Sequence, residues 1–239
     1  MMFPSENPRH HMEISPPKEA FWSYEDLALF VGAVLPALVI AKLGEQAIHF
    51  SNEGLRQVAF QVLLYLLLTM VLYFLIASRY RRPFWRSLGW IFEFRGAWLC
   101  ILLGPLLALG IGLLSATLRA PGDPSIKNLI TDRTSTIAIV FFGSFAGPIF
   151  EEMVFRGFLQ PLLARSLGAW LAILVTDIPF ALLHGPGFGW AWQSVGLIGL
   201  AGLVLGFVRY RTGSTVASSL VHIGYNATFF VGFLMTRSI

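Results

Sequence analysis

Residues 135–165 read STIAIVFFGSFAGPIFEEMVFRGFLQPLLAR. The first half of this stretch carries no charge, and the whole exceeds the ~20 apolar residues that cross a hydrocarbon core as a helix. Yet Glu151, Glu152 and Arg156 interrupt its second half. A charged side chain at the centre of a span costs roughly 2.5–3.5 kcal/mol on insertion scales, so these groups must face a bundle interior or a water-filled cavity. The run is also too long for one plain crossing. Gly147-Pro148 just upstream of the glutamates predicts a kink, or a break into two pieces.

The rest of the chain agrees with a membrane setting. Apolar residues make up 56% of 239 positions and charged residues only 13%, about half the charged share of a soluble domain. Mean hydropathy is +0.69. Backbone groups in lipid must be satisfied internally, which leaves helices or a closed barrel. Continuous apolar runs, not alternating ten-residue ones, choose helices. The expected fold is an all-α polytopic transmembrane bundle. Its spans fall at about 25–43, 56–78, 96–118, 135–165, 168–184, 191–209 and 214–236. Seven is the expected count, within a range of six to eight. Residues 1–23, punctuated by Pro4, Pro8, Pro16 and Pro17, read as a polar disordered or interfacial tail, and 24–239 as one transmembrane domain. No signal peptide is evident, so the first span is expected to stay as an anchor.

Net charge is +4, but the basic residues lie between apolar runs, which makes them topology signals and not a nucleic-acid footprint. Arg79, Arg81, Arg82, Arg86 and Arg95 follow the second span, Arg165 the fourth, and Arg209 and Arg211 the sixth. Alternation puts all three loops on one side, which the positive-inside rule makes cytoplasmic. Trp85, Trp90, Trp190 and Trp192 fall near span ends, and Gly199, Gly202 and Gly206 give one helix a close-packing face. Cys100 sits alone in an apolar run and has no disulfide partner. The expected setting is a multi-pass protein of a prokaryotic plasma membrane, with the lipid bilayer as a partner and no nucleic acid.

Ionisable groups recur in two further spans: Asp177 and His184 in the fifth, and His222 with Asn226 in the seventh. From Glu151 to the turn near Ser166 is about 16 residues, or ~24 Å of helix rise, and from that turn to His184 is about the same. An antiparallel hairpin therefore returns Glu151 and His184 to one depth. Glu152 and Arg156, like His222 and Asn226, are one helical turn apart and project together. One arginine cannot neutralise two glutamates, so one of them is either protonated or engaged elsewhere. A carboxylate beside an imidazole can take a proton from water, an amide can donate to a developing oxyanion, and Glu with two His is also a ligand set for a divalent metal such as zinc. No cofactor is demanded by these residues.

The motifs themselves resemble a known family. Glu151-Glu152-Met153-Val154-Phe155-Arg156 resembles the E-E-x-x-x-R motif of the CPBP (ABI) intramembrane proteases, which include the type II CAAX prenyl endopeptidases. Phe180-Ala181-Leu182-Leu183-His184 is similar to the family's F-x-x-x-H motif, and His222-Ile223-Gly224-Tyr225-Asn226 to its H-x-x-x-N motif. The likeness covers roughly residues 135–230. It implies an intramembrane endopeptidase acting on a membrane-associated substrate, a membrane protein or lipidated peptide, with prenylated CAAX-type tails as one class among these and not the only one. Glu151 would activate water with His184 as its partner, and His222 and Asn226 would stabilise the oxyanion. Glu152 would support the site by pairing with Arg156, and Phe180 would pack beneath His184. The family is described both as metalloproteases, for which Glu151, His184 and His222 would be the ligands, and as metal-free glutamate-dependent enzymes. The absence of an H-E-x-x-H pattern favours the metal-free form. Two other functions use the same buried groups: a non-catalytic membrane scaffold or immunity-type protein on this fold, and a proton-coupled transporter.

Overall fold

The structure is a computed structural model that describes residues 20–92, 96–122 and 124–237. Among the described residues, seven helices are long and apolar enough to cross a membrane. They are α1 (Tyr24–Gln46), α2 (Glu53–Ser78), α3 (Ala97–Leu118), α4 (Arg133–Leu167), α5 (Ala169–His184), α6 (Trp192–Thr212) and α7 (Thr215–Arg237). No strand occurs among the described residues. The expected all-α, seven-span bundle is thus what the chain forms, an integral multi-pass architecture.

Polar side chains start the helices by satisfying amides that the first turn leaves free. Before α1, Ser23 and Asp26 form a capping box, with the Ser23 amide donating to Asp26 Oδ2 at 2.8 Å. Asn52 accepts from the Leu55 amide at 2.9 Å before α2, and Asp132 accepts from the Ser135 amide at 2.9 Å before α4. The Ser135 amide holds the Asp132 carboxyl below its ordinary range. Gly213, at φ +67°, ends α6 and opens the tight turn to α7, where a Cβ would be strained.

The helices differ in how much they face lipid. In α1 and α3 only 17% of the most apolar window is buried inside the protein, against 56% in α6, so α6 is the central helix. The core around it takes Phe155 from α4, Phe180 from α5, Leu205 and Val208 from α6, and Ala217 and Val221 from α7. A second core joins α1, α2 and α4 through Phe30, Leu68, Leu72, Ile76, Phe158 and Leu162. Helices α3 and α7 cross at Gly104 and Gly224, where a Cβ on Gly104 would meet the Val221 carbonyl at 2.6 Å.

Of the kink or break expected at Gly147-Pro148, α4 shows no break. It runs through Pro148 by widening into π-helical turns at Phe142–Ala146 and Met153–Leu159, on either side of the glutamates. Such turns absorb an extra residue without ending the helix. At the end of the expected tail, Trp22 is fully buried, donates its Nε1–H to the Phe158 carbonyl at 3.1 Å and stacks on the Phe158 ring. The four prolines of the expected tail lie outside the described residues. Arg209, one of the basic residues expected to mark topology, lies in the last turn of α6. It is buried and donates Nε–H to the Arg156 carbonyl at 3.1 Å.

The other arginine loops do share one end of the bundle. Arg79 pairs with Asp26 at 3.0 Å, and Arg165 donates to the carbonyls of Ala20 and Trp22 at 2.8 and 3.1 Å. Arg95 lies outside the described residues.

Candidate active site

Glu151 and Glu152 are neighbours on α4, so a helical step of about 100° sends their carboxylates in different directions. Glu152 turns inward and is fully buried, whereas Glu151 remains one-fifth exposed on a cavity of about 490 Å³. The sequence's difficulty, two glutamates for one arginine, is resolved by this divergence.

Glu152 anchors a polar core. Its Oε1 accepts from Arg156 Nη1 at 3.0 Å and from His222 Nδ1 at 3.1 Å. Arg156 Nη2 donates to the Gly202 carbonyl at 2.9 Å and lies 4.0 Å from Asp177 Oδ1. The guanidinium also rests 4.2 Å over the Phe180 ring, a cation–π contact. Asp177 therefore belongs to the arginine's surroundings, packed at Gly202. A Cβ on Gly202 would come within 1.9 Å of Asp177 Oδ1, so the glycine face of α6 exists to admit this cluster.

Glu151 faces the cavity with two partners. Tyr65 Oη on α2 donates to its Oε1 at 3.3 Å, and His222 Nε2 lies 3.8 Å from its Oε2. The second distance allows ion pairing but is too long for a hydrogen bond. His222 thus stands between the two glutamates, one ring nitrogen toward each. A carboxylate only accepts, so Nδ1 carries the proton given to Glu152.

The remaining motif residues line the same cavity. His184 Nδ1 donates to the Phe180 carbonyl at 2.8 Å, and because a carbonyl cannot donate, a neutral His184 keeps its lone pair on Nε2. The Phe180 ring packs against both histidines, with centroids 5.0 Å from His184 and 5.9 Å from His222. Asn226 Nδ2 donates to the Gly143 carbonyl at 2.8 Å, leaving its second amide hydrogen outside that bond.

Both π-helical turns of α4 take part. Gly143, in the first, offers its carbonyl to Asn226, and Arg156, in the second, offers its carbonyl to Arg209. Widened turns of this kind turn backbone carbonyls away from the regular ladder and recur at functional sites.

As possible metal ligands, Glu151, His184 and His222 share the cavity but do not form a ligand shell. Among the described residues, no three His, Cys, Asp or Glu side chains are grouped closely enough to hold an ion.

Four contributors escaped the sequence reading: Tyr65, Arg209, and the carbonyls of Gly143 and Gly202. Tyr65 stands in the run LLYLLL of residues 63–68, where only a hydroxyl in an apolar stretch hints at a partner. The two carbonyls have no sequence signature.

Gln57, Gln61, Ile126, Leu129 and Phe188 also line the cavity. They belong to the start of α2, the α3–α4 connection and the segment after α5, so the cavity reaches toward the end of the bundle opposite the arginine loops.

No curated protein and no solved structure matches the chain. Residues 133–228, however, match the family described as type II CAAX prenyl endopeptidase Rce1-like, and that segment contains Glu151, Glu152, Arg156, Phe180, His184, His222 and Asn226. Over this stretch the three motifs occur in order and each contributes to one cavity, and the chain carries a segment similar to the Rce1-like family.

Proposed function

We propose that the protein is an intramembrane endopeptidase that hydrolyses a peptide bond of a membrane-associated substrate with water activated by Glu151. The observation that carries this reading is that Glu151, His184, His222 and Asn226, contributed by three helices, line one cavity inside the bundle. The Rce1-like match over the same residues supports a peptide as the substrate and a prenylated CAAX-type tail as the first class to try.

Glu151 Oε2 and His222 Nε2, at 3.8 Å, can both hold one water at hydrogen-bond distances of about 2.8 Å. Glu151 takes a proton from that water as its oxygen attacks the carbonyl carbon. His184, with its Nε2 lone pair free, shares the proton traffic. The tetrahedral oxyanion then receives hydrogen bonds from His222 and from the second amide hydrogen of Asn226, donors of a kind worth about 2.7–4 kcal/mol each. For His222 to donate from Nε2 its ring must be doubly protonated, a charge that the flanking Glu151 and Glu152 carboxylates balance. Collapse of the intermediate breaks the C–N bond, and the proton held by Glu151 passes to the leaving amine. Glu152 and Arg156 keep the His222 ring in place throughout.

The test is mass spectrometry of membrane peptides, prenylated and unprenylated, incubated with purified protein with and without chelator. Cleavage by the wild type that persists with chelator and disappears in Glu151→Ala and His184→Ala is the expected result. Undiminished cleavage by either variant would overturn the mechanism. Loss of cleavage with chelator alone would replace the acid–base reading with a metal-dependent one.

A further inference from the structure

Everything assigned so far to the reaction lies on α4, α5 and α7, within the Rce1-like segment. One side chain from outside that segment nevertheless touches the reactive carboxylate. From α2, we infer that Tyr65 is a positioning residue for Glu151: its phenol occupies Oε1 and thereby reserves Oε2 for the water. The inference rests on the proposed role of Glu151 as the base, and it adds a part of the site that none of the motifs includes.

Three observations support it. The Tyr65 hydroxyl lies 3.3 Å from Glu151 Oε1, and against an ionised carboxylate the phenol must be the donor. The ring is also held in a defined place. It stacks on Phe150, the residue before Glu151, with centroids 3.9 Å apart and planes 17° apart, and tilts against Phe142 at 5.6 Å. Both aromatic partners belong to α4, so α2 is registered on α4 at the position of the base. Finally, the two carboxylate oxygens have separate neighbours: Oε1 has Tyr65, and Oε2 has His222 Nε2 at 3.8 Å. A carboxylate free to rotate would present either oxygen to water. One pinned by a phenol presents a single basic atom next to the imidazole, a preorganised geometry of the kind that raises kcat without tightening substrate binding.

The plainer account is that a half-buried tyrosine in a membrane bundle needs an acceptor for its hydroxyl, and Glu151 supplies one. The two accounts differ in what removal of the oxygen does. Tyr65→Phe keeps both ring contacts and deletes only the phenol. If Tyr65 positions Glu151, the variant in proteoliposomes loses about ten-fold in kcat with KM within two-fold. The split between kcat and KM separates positioning from packing, because a structural defect that loosened the cavity would move both. An unchanged kcat with only a lower melting temperature would overturn the inference and leave Tyr65 as packing.

Infrared spectroscopy at one fixed pH gives a readout independent of turnover. The difference between wild type and Glu151→Gln isolates the Glu151 carboxylate stretching bands. In Tyr65→Phe those bands are expected to shift in frequency, because one oxygen has lost its hydrogen-bond donor. Unmoved bands would refute the contact itself. A shifted band in a protein that cleaves no peptide would instead uphold the Tyr65–Glu151 coupling and sink the protease reading, so the two failures are distinguishable.

Discussion

Replacing Gly202 with alanine tests whether the buried arginine cluster depends on the close approach of α5 and α6. The new Cβ would lie 1.9 Å from Asp177 Oδ1, 2.8 Å from a Phe180 ring carbon and 3.1 Å from Arg156 Nη2. None of these groups is free to yield: Phe180 is buried between the two histidines, and Arg156 is held by Glu152 and by the Gly202 carbonyl itself. Overpacking of a filled core costs about 1–3 kcal/mol. Pushing α6 away also lengthens the Arg156 bond to the Gly202 carbonyl, and a hydrogen bond to a charged group is worth about 1.5–3 kcal/mol. Alanine returns about 1 kcal/mol in helix propensity. The net expectation is a destabilisation of roughly 2–5 kcal/mol, or on the order of 5–10 °C in melting temperature for a chain of this size. Intrinsic tryptophan fluorescence during heating in detergent measures it, with Gly196→Ala on the same helix as the control, since a Cβ there meets nothing within 4 Å. The same variant should lose peptide cleavage, because Arg156 and Glu152 set the His222 ring. Coincident melting curves for Gly202→Ala and Gly196→Ala would refute the argument.

Three further outcomes are expected. Arg156→Met leaves Glu152 without its buried cation and should cost about 3–5 kcal/mol, while Arg156→Met combined with Glu152→Gln should melt above the single variant; strictly additive losses would contradict this. Asp132→Ala should lower the melting temperature by removing the α4 cap. In the wild type, the folded-state carboxyl is held below its ordinary range, so its contribution is present at neutral pH and fades as pH falls through that lowered value; a difference between the two proteins that grew on acidification would be the wrong sign. Gln57→Cys, on the first turns of α2 where they line the cavity, and Arg82→Cys, in the arginine loop, should react with a membrane-impermeant thiol reagent from opposite faces of sealed vesicles, with native Cys100 silent because it is buried; labelling of both from one face would contradict this arrangement of spans.

Much of this architecture was already present in the order of residues. Span lengths follow from the thickness of hydrocarbon and the rise of a helix, so seven apolar runs determined seven helices with ends close to those observed. The pairings at one helical turn, Glu152 with Arg156 and Phe180 with His184, follow from the 3.6-residue repeat, which is local and therefore legible. The small-residue face of α6 was likewise visible, though not that Asp177 and Arg156 would be what filled it. What the tertiary structure alone decided is of another kind. Tyr65 meets Glu151 across 86 residues, Asn226 meets Gly143 across 83, and Arg209 meets the Arg156 carbonyl across 53. These contacts depend on how two helices rotate against each other and on where α4 widens, and neither is written in any single helix's periodicity. A π-helical turn shifts every following side chain of α4 by a fraction of a turn, so the direction in which Glu151 points follows from packing around the whole bundle and not from its own motif.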